Sequence, residues 1–343
     1  MRIAVIGAGA LGGTFAALLS RAGHEVEVTA RGAQLSAIRE RGIRLSGGFG
    51  VANALVAASE TLSARPDLVL LCTKAQDAEA ALLQNAAALE GAAALDGGDG
   101  LDGVPVIVVQ NGLDGVQTAE RVLPNSECFG LIVIIAANYT TPGEVRVTTA
   151  APSYLGRGSG PADTETLRWQ AVLAEAAPVI AQDNFVGAQW TKLIVNMLNG
   201  LPAITGLTVQ EVVAHRGLRM ALTRSMREAV RVGIASGVRF GSLQRLSDAR
   251  LRLFAHMPLW LGQLLPYSMR VRMGNVSNLG STQQSLRRGQ PTEVDFLNGA
   301  VVREASAAGL DAPVNRALTA LVHEVEERGS SLPVERVIAD VPA

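Results

Sequence analysis

Gly7-Ala8-Gly9-Ala10-Leu11-Gly12 follows an apolar run over 3–6 and opens an apolar-periodic stretch through Phe15, Leu18 and Leu19. Glycines at this spacing between a strand and a helix permit a tight turn, close approach of a pyrophosphate and close helix–strand packing. The free amides and the dipole of the helix start favour an anion there. A glycine turn without a ligand is the plainer alternative, and the strand–loop–helix context argues for a dinucleotide. A second strand, predicted over 26–29, ends in Ala30-Arg31-Gly32 with no acid at its tip. A carboxylate there would hold a ribose 2′-hydroxyl, whereas the planar fork of Arg31 can pair with a 2′-phosphate. The pattern favours NADP(H) over NAD(H), against the alternative that Arg31 lies solvated at a strand end.

Two further loops should reach the same crevice. Lys74 follows the run over 70–73, and Gln110-Asn111-Gly112 follows the run over 106–109. Lys74 is placed to meet a phosphate or the adenine side, unless it is an ordinary solvated lysine. Asn111 can offer its amide to a nicotinamide ribose or to a substrate.

The second half carries more specific motifs. Trp190-Thr191-Lys192-Leu193-Ile194-Val195-Asn196 resembles the W-x-K-L-x-x-N segment of the ketopantoate reductase family. Ser281-Thr282-Gln283-Gln284 and the run from Thr292-Glu293-Val294-Asp295 to Asn298-Gly299 resemble that family's S-M-x-Q-D and T-E-I-D-x-x-N-G signatures. The motifs occur in the family's order along nearly the whole chain. The resemblance implies a Rossmann-type NADP-binding domain, a C-terminal all-α domain like that of 6-phosphogluconate dehydrogenase, and NADPH-dependent reduction of ketopantoate to pantoate. It implies that Glu293 lies against a substrate hydroxyl and the cofactor ribose, that Asn278 and Ser281 bind substrate, and that Ala136 meets the cofactor through its backbone.

Hydride delivery to a ketone builds negative charge on oxygen, which a general acid or a donor array must meet. No histidine lies near any motif, so Lys192 is the natural acid. Asn196, four residues on, shares its helical face as a neutral donor; both can project toward a cleft between the domains. Departures from the family pattern bear on the substrate. Gly200 stands where the family has a second asparagine, Asn199 lies one residue earlier, Ser285 replaces an acid, and Gln210 stands where another amide is usual. Asn199 can enter the Lys192 pocket, or Gly200 can widen it, and Pro202 is expected to end the helix. Two other readings stay open: a paralogous reductase of another 2-oxo acid or an imine, and a non-catalytic NADP(H)-binding regulator.

The elements that must position these groups divide the chain in two. Strands are predicted over 3–6, 26–29, 68–72, 106–109 and 129–135, alternating with helical patterns as in parallel βαβ units. Pro142-Gly143 marks a turn between the strand over 129–135 and a following strand over 145–148. The Ala/Gly/Asp-rich stretch 86–103 reads as a helix end followed by a mobile surface loop. From about 184 the patterns become helical, over 189–198, 218–236, 243–254 and 292–308. The expected domains are therefore 1–183, α/β, and 184–343, all-α. The apolar segment 251–273 reads as core or helix contact, or alternatively as the surface of a homodimer.

Composition excludes other classes. The 343 residues are 48% hydrophobic and 18% charged with a net charge of -1, which suits a globular protein and argues against a disordered chain or a nucleic-acid binder. Cys72, expected as a small buried apolar residue, and Cys128 cannot build a disulfide framework or a four-thiolate zinc site. His24, His215, His256 and His323 show no metal-ligand spacing, so no metal is expected. No run reaches the roughly 18 apolar residues of a membrane span, and the first residues leave no room for a signal peptide. The expectation is a cytoplasmic protein whose partner is a small 2-oxo acid, with no nucleic acid and no membrane.

Overall fold

Short runs of Val, Ile and Leu without alternation are buried on both faces, which is the pattern of a parallel sheet covered by helices. In the computed structural model, which describes residues 1–90, 102–273 and 280–342, two compact units occur, Met1–Phe185 and Val186–Ala343. The predicted loop over 86–103 falls largely outside the described residues.

In the first unit the strands are β1 (Arg2–Ile6), β2 (Glu25–Thr29), β3 (Ile43–Gly47), β4 (Ala52–Ala54), β5 (Ala57–Ser59), β6 (Leu68–Leu71), β7 (Val106–Val108), β8 (Cys128–Ile132), β9 (Ala136–Thr141), β10 (Glu144–Thr149), β11 (Ser153–Gly156) and β12 (Val179–Ala181). Eight of them form one sheet in the order β12-β11-β8-β7-β6-β1-β2-β5, parallel except between β11 and β8. The chain runs outward from β1 through β2 to β5, then returns to β6 on the other side of β1. The strand order therefore reverses between β1 and β6, and ligands in such sheets bind outside the carboxyl ends of the strands at this point. This is the doubly wound architecture expected from the alternating patterns.

A second sheet, β4-β3-β10-β9, was not foreseen. The predicted turn at Pro142-Gly143 is present, but it joins β9 to β10 as a hairpin instead of linking 129–135 to a later strand. Gly143 has φ 79°, which a residue with a Cβ rarely adopts. Ile43, Leu45, Val145 and Val147 of this sheet are buried. The sheet packs on helix α1 (Ala10–Arg21), where a Cβ on Gly13 would come within 3.0 Å of Val145 Cγ1. Helix α1 stops where Gly23 takes φ 94°.

The second unit is helical. Its longest helix, Arg216–Ala235, faces the helix Pro313–Arg328 through a buried polar network. Asn315 Oδ1 accepts from Ser225 Oγ (2.8 Å) and Asn298 Nδ2 (2.9 Å), while its Nδ2 donates to Glu228 Oε2 (2.8 Å). The Glu228 carboxylate also accepts the backbone N–H groups of Val314 and Asn315 at 2.9 Å, satisfying donors that the helix start leaves free. Burial pushes the Glu228 carboxyl above its ordinary value against these hydrogen bonds. The segment 251–273 divides: Leu251, Phe254 and Met269 are core, whereas Leu253, Trp260, Leu264 and Val271 are exposed. Among the described residues no helix is long and apolar enough to cross a membrane.

Replacing Asn315 with Leu should leave the carboxylate and both partner side chains short of hydrogen bonds. We expect a loss of about 3 kcal/mol in urea denaturation, the scale of several buried polar groups left unpaired. A loss under about 0.5 kcal/mol, the level of an ordinary surface change, would show that the network does not hold these helices together.

Candidate active site

The glycine loop runs from β1 into α1 at the strand-order reversal. Gly7 has φ 98°, and a Cβ there would meet Thr73 N at 2.9 Å. A Cβ on Gly12 would lie 2.0 Å from Gly7 O, so backbone packs directly on backbone. Around Gly9 the same construction meets nothing within 4 Å, which leaves open space at the helix start. No side chain caps α1 and its first turn holds no acid. Ala10, Leu11 and Gly12 thus present first-turn amides to that space, a fit for a pyrophosphate. Ala8 N donates to Thr29 O (3.0 Å) and Ala8 O accepts from Gln34 Nε2 (2.7 Å), fixing the loop between β2 and α2 (Gly32–Arg41).

Arg31 lies exposed just beyond β2, at the start of α2, and donates to Gln84 Oε1 on α3 (Ala78–Leu89). Of the two acids in β2, Glu25 lies exposed at its opposite end, paired with Arg2, and Glu27 is buried and committed elsewhere. Its carboxylate accepts Ser59 Oγ (2.8 Å), Ser63 N (2.9 Å) and Ser63 Oγ (3.1 Å), tying β5 and the turn after it to β2. The strand tip therefore presents a guanidinium and no carboxylate.

Lys74 and Asn111 follow the adjacent parallel strands β6 and β7, and Gln110 joins the two loops by donating to Thr73 O (3.0 Å) and Thr73 Oγ1 (3.2 Å). Both residues are half-buried. Ala136 begins β9, and its carbonyl accepts from Thr148 Oγ1 (3.2 Å). Cys72 is half-buried, not fully buried as expected, because it leaves the end of β6 for the loop facing Gly12. Desolvation still pushes its thiol well above the ordinary range.

In the second unit Lys192 and Asn196 share the helix Phe185–Asn196. Thr191 Oγ1 anchors that helix by donating to Gly241 O (2.7 Å), and Trp190 packs where Gly233 lacks a side chain. Leu193 and Ile194 are buried beside Lys192. The lysine itself is half-buried, and desolvation lowers its ammonium to about 8. Asn196 is buried at 5% exposure.

Pro202 does not end this helix. The break comes earlier, in a 3₁₀ turn at Met197–Asn199, and Pro202 sits in the first turn of a new helix, Gly200–Thr205. A missing N–H costs nothing in a first turn. The break redirects positions 199 and 200 from the faces a continuous helix would give them. Asn199 lies against Gly280, whose Cβ would fall 2.8 Å from Asn199 Oδ1. Gly200 faces Asn298, at 3.3 Å from a Cβ to Oδ1. Asn298 Nδ2 also contacts Met197 Sδ (3.4 Å). The late motifs are thereby brought to the carboxyl end of the Lys192 helix.

Ser281 is exposed at the first turn of the helix Ser281–Arg287, whereas Ser285 is buried. Asn278 lies outside the described residues. Glu293 is half-buried, and its carbonyl accepts from Phe296 N (3.0 Å). Glu326 Oε1 holds the preceding residue through Thr292 N (2.7 Å), and His323 bridges Glu326 and Asp295 at 2.7 and 2.9 Å. Sequence reasoning missed Gln283, which is 3% exposed with both amide atoms lacking a partner among the described residues. Its only signal was a polar residue inside a motif. Among the described residues no cluster of His, Cys, Asp and Glu could hold a metal.

Residues 3–160 match the family described as Ketopantoate reductase PanE/ApbA, and 184–326 match Ketopantoate reductase PanE/ApbA C terminal. The chain belongs to the ketopantoate reductase family. A 2-dehydropantoate 2-reductase of Archaeoglobus fulgidus is 30% identical, over 95% of this chain and 98% of that protein. The crystal structure of a ketopantoate reductase from Ralstonia eutropha JMP134 superposes with a TM-score of 0.79 at 31% identity, covering 96% and 99% of the two chains. D-mandelate dehydrogenase, solved with NADH and anilino(oxo)acetate, shares the fold at a TM-score of 0.78 and 21% identity, over 97% and 100% of the chains.

For this member of the family the lowered Lys192 value has a consequence for stability. The unfolded lysine titrates near about 10.4. Below pH 8 both states are protonated, and the folded state bears the whole cost of a desolvated cation, at most about 3 kcal/mol. Between 8 and about 10.4 the unfolded chain binds more protons, so stability rises with pH. Lys192→Met should therefore be more stable than the parent near pH 7 in urea denaturation, with the difference shrinking toward pH 10. A less stable variant at pH 7 would contradict the desolvation.

Proposed function

We propose that the protein reduces 2-dehydropantoate (ketopantoate) to pantoate with NADPH, a step of pantothenate biosynthesis. The observation that carries this reading is Lys192, lowered to about 8 and one helical turn from the buried Asn196. NADPH, when bound, supplies the hydride. Lys192 then gives a proton to the carbonyl oxygen as charge builds there, and a donor titrating near 8 is well matched to neutral pH. Asn196 donates an uncharged hydrogen bond to the same region, and Glu293 holds a substrate hydroxyl and the cofactor ribose.

On this reading the Gly7–Gly12 loop cradles the pyrophosphate with first-turn amides. Arg31 exchanges its Gln84 partner for the 2′-phosphate, and its guanidinium fork suits that anion better than a 2′-hydroxyl. Lys74, Asn111 and Ala136 complete the nucleotide side. Asn111 also serves the substrate, together with Asn199, Ser281, Asn278 and the space at Gly200. A second reading, reduction of a different 2-oxo acid, is favoured by Gly200, where the side chain usual in the family is missing and Asn298 occupies the direction it would take.

Steady-state NADPH oxidation with ketopantoate and a panel of 2-oxo acids separates these readings. Lys192→Ala should lower kcat by a factor on the order of 10²–10⁴, the range of a positioned acid. Lys192→Arg should rescue poorly because a guanidinium keeps its proton. In the parent, kcat should fall as pH rises through about 8, when the acid is lost. Near-parental kcat in folded Lys192→Ala would sink the mechanism.

Arg31→Ala should weaken NADPH binding about tenfold to a hundredfold, the value of one charge-assisted hydrogen bond, and leave NADH nearly unchanged. Equal losses for both cofactors, measured by fluorescence titration, would refute the NADPH assignment.

A further inference from the structure

We propose that the helical unit carries a second small-molecule site, independent of the reductase reading, that takes an organic phosphate with an apolar body. It lies in a cavity of about 530 Å³ between the turn at 243–246 and the helices Asp248–His256 and Leu264–Met273. That volume is in the range of small-molecule sites. Three arginines, Arg245, Arg250 and Arg272, line the cavity with Ser268, and among the described residues no acid does. Leu246, Leu251, Leu265 and Val271 supply its apolar wall, the first two buried and Val271 at the exposed rim. One small cavity thus pairs concentrated positive charge with apolar surface, as a phosphate head on an apolar body requires.

The turn that presents Arg245 is built at a cost. Leu243 and Leu246 exchange both backbone hydrogen bonds, at 3.0 and 2.8 Å, which leaves Gln244 and Arg245 as the two central residues. Both have left-handed backbones, φ 49° and 68°, where such turns ordinarily carry Asn-Gly. Strain of this kind in residues with a Cβ collects at ligand clamps. The other two arginines brace the strained turn. Arg272 Nη1 donates to Gln244 O (2.9 Å) and Arg250 Nη1 to Arg245 O. The Arg245 guanidinium, by contrast, is exposed and makes no hydrogen bond or ion pair among the described residues. It is the group left for a ligand.

Isothermal titration of the full chain with phenyl phosphate tests the assignment, with inorganic phosphate, benzoate and benzyl alcohol as separate arms. Phenyl phosphate should bind at least about tenfold tighter than each of the other three, and Arg245→Ala should lose at least about tenfold in affinity. Arg31→Ala should bind the probe like the parent. Arg245→Gly should also lose binding while its melting temperature rises, because glycine accepts the left-handed backbone. Absence of saturable binding at millimolar probe overturns the site. So does binding that survives Arg245→Ala and disappears in Arg31→Ala, which would belong to the place proposed for the 2′-phosphate. Equal affinity for inorganic phosphate would overturn the apolar half of the ligand, and tighter binding of benzoate the phosphate half. A lower melting temperature with binding retained in Arg245→Gly would remove the role of the turn.

Discussion

The carbonyl oxygen of Gly7 occupies the place where a side chain at position 12 would begin, 2.0 Å from a Cβ built there. Much of the first unit depends on that backbone-to-backbone contact. It draws the start of α1 onto the end of β1, and it lets Cys72 and Thr73 at the end of β6 close over the loop. Gly13, on the next position of α1, admits Val145 and so seats the second sheet. A crevice with uncovered first-turn amides is left at the point where the strand order reverses. The openness of this mouth is a by-product of close packing, because the glycines that permit the packing also remove any side chain from it.

The helical unit meets a different constraint, a cation partly withdrawn from water. Desolvation lowers Lys192 to about 8, and its neighbours Leu193 and Ile194 are apolar. A group kept in such a state must be held by packing around it, since the charge itself opposes folding. Glycines again make the packing close: Gly233 admits Trp190, and Gly241 comes within 2.5 Å of Ala188 N when a Cβ is built on it. Hydrogen bonds among Asn298, Asn315, Ser225 and Glu228 then fix the helices that carry the later motifs. The arrangement resembles a general rule for acids and bases. Reactivity near neutral pH is obtained by destabilising one protonation state, and the surrounding fold supplies the compensation.

Much of this was legible locally. The glycine loop, the absent acid and present arginine at the tip of β2, the buried strands of the parallel sheet and the change to helix after about 184 are all read from neighbouring residues. Each is a matter of periodicity or turn chemistry within one element, where the physical cause and the sequence signal lie within a few positions. The order of the later motifs carried the family in the same way.

Tertiary structure alone decided the rest, because its causes lie far apart in the chain. Strand β3 pairs in parallel with β10 about a hundred positions away, and β4 and β5 have three residues each, too short for a pattern to register. The break at 197–199 turned Asn199 toward Gly280 and Gly200 toward Asn298, contacts that a helical wheel cannot contain. The lowered Lys192 value and the unpartnered Gln283 come from burial, and burial is a property of the assembled core. The sequence by itself determined which groups could do chemistry and which local turn or helix presents them. Which of those groups face one another, and at what electrostatic cost, was decided by packing between distant segments.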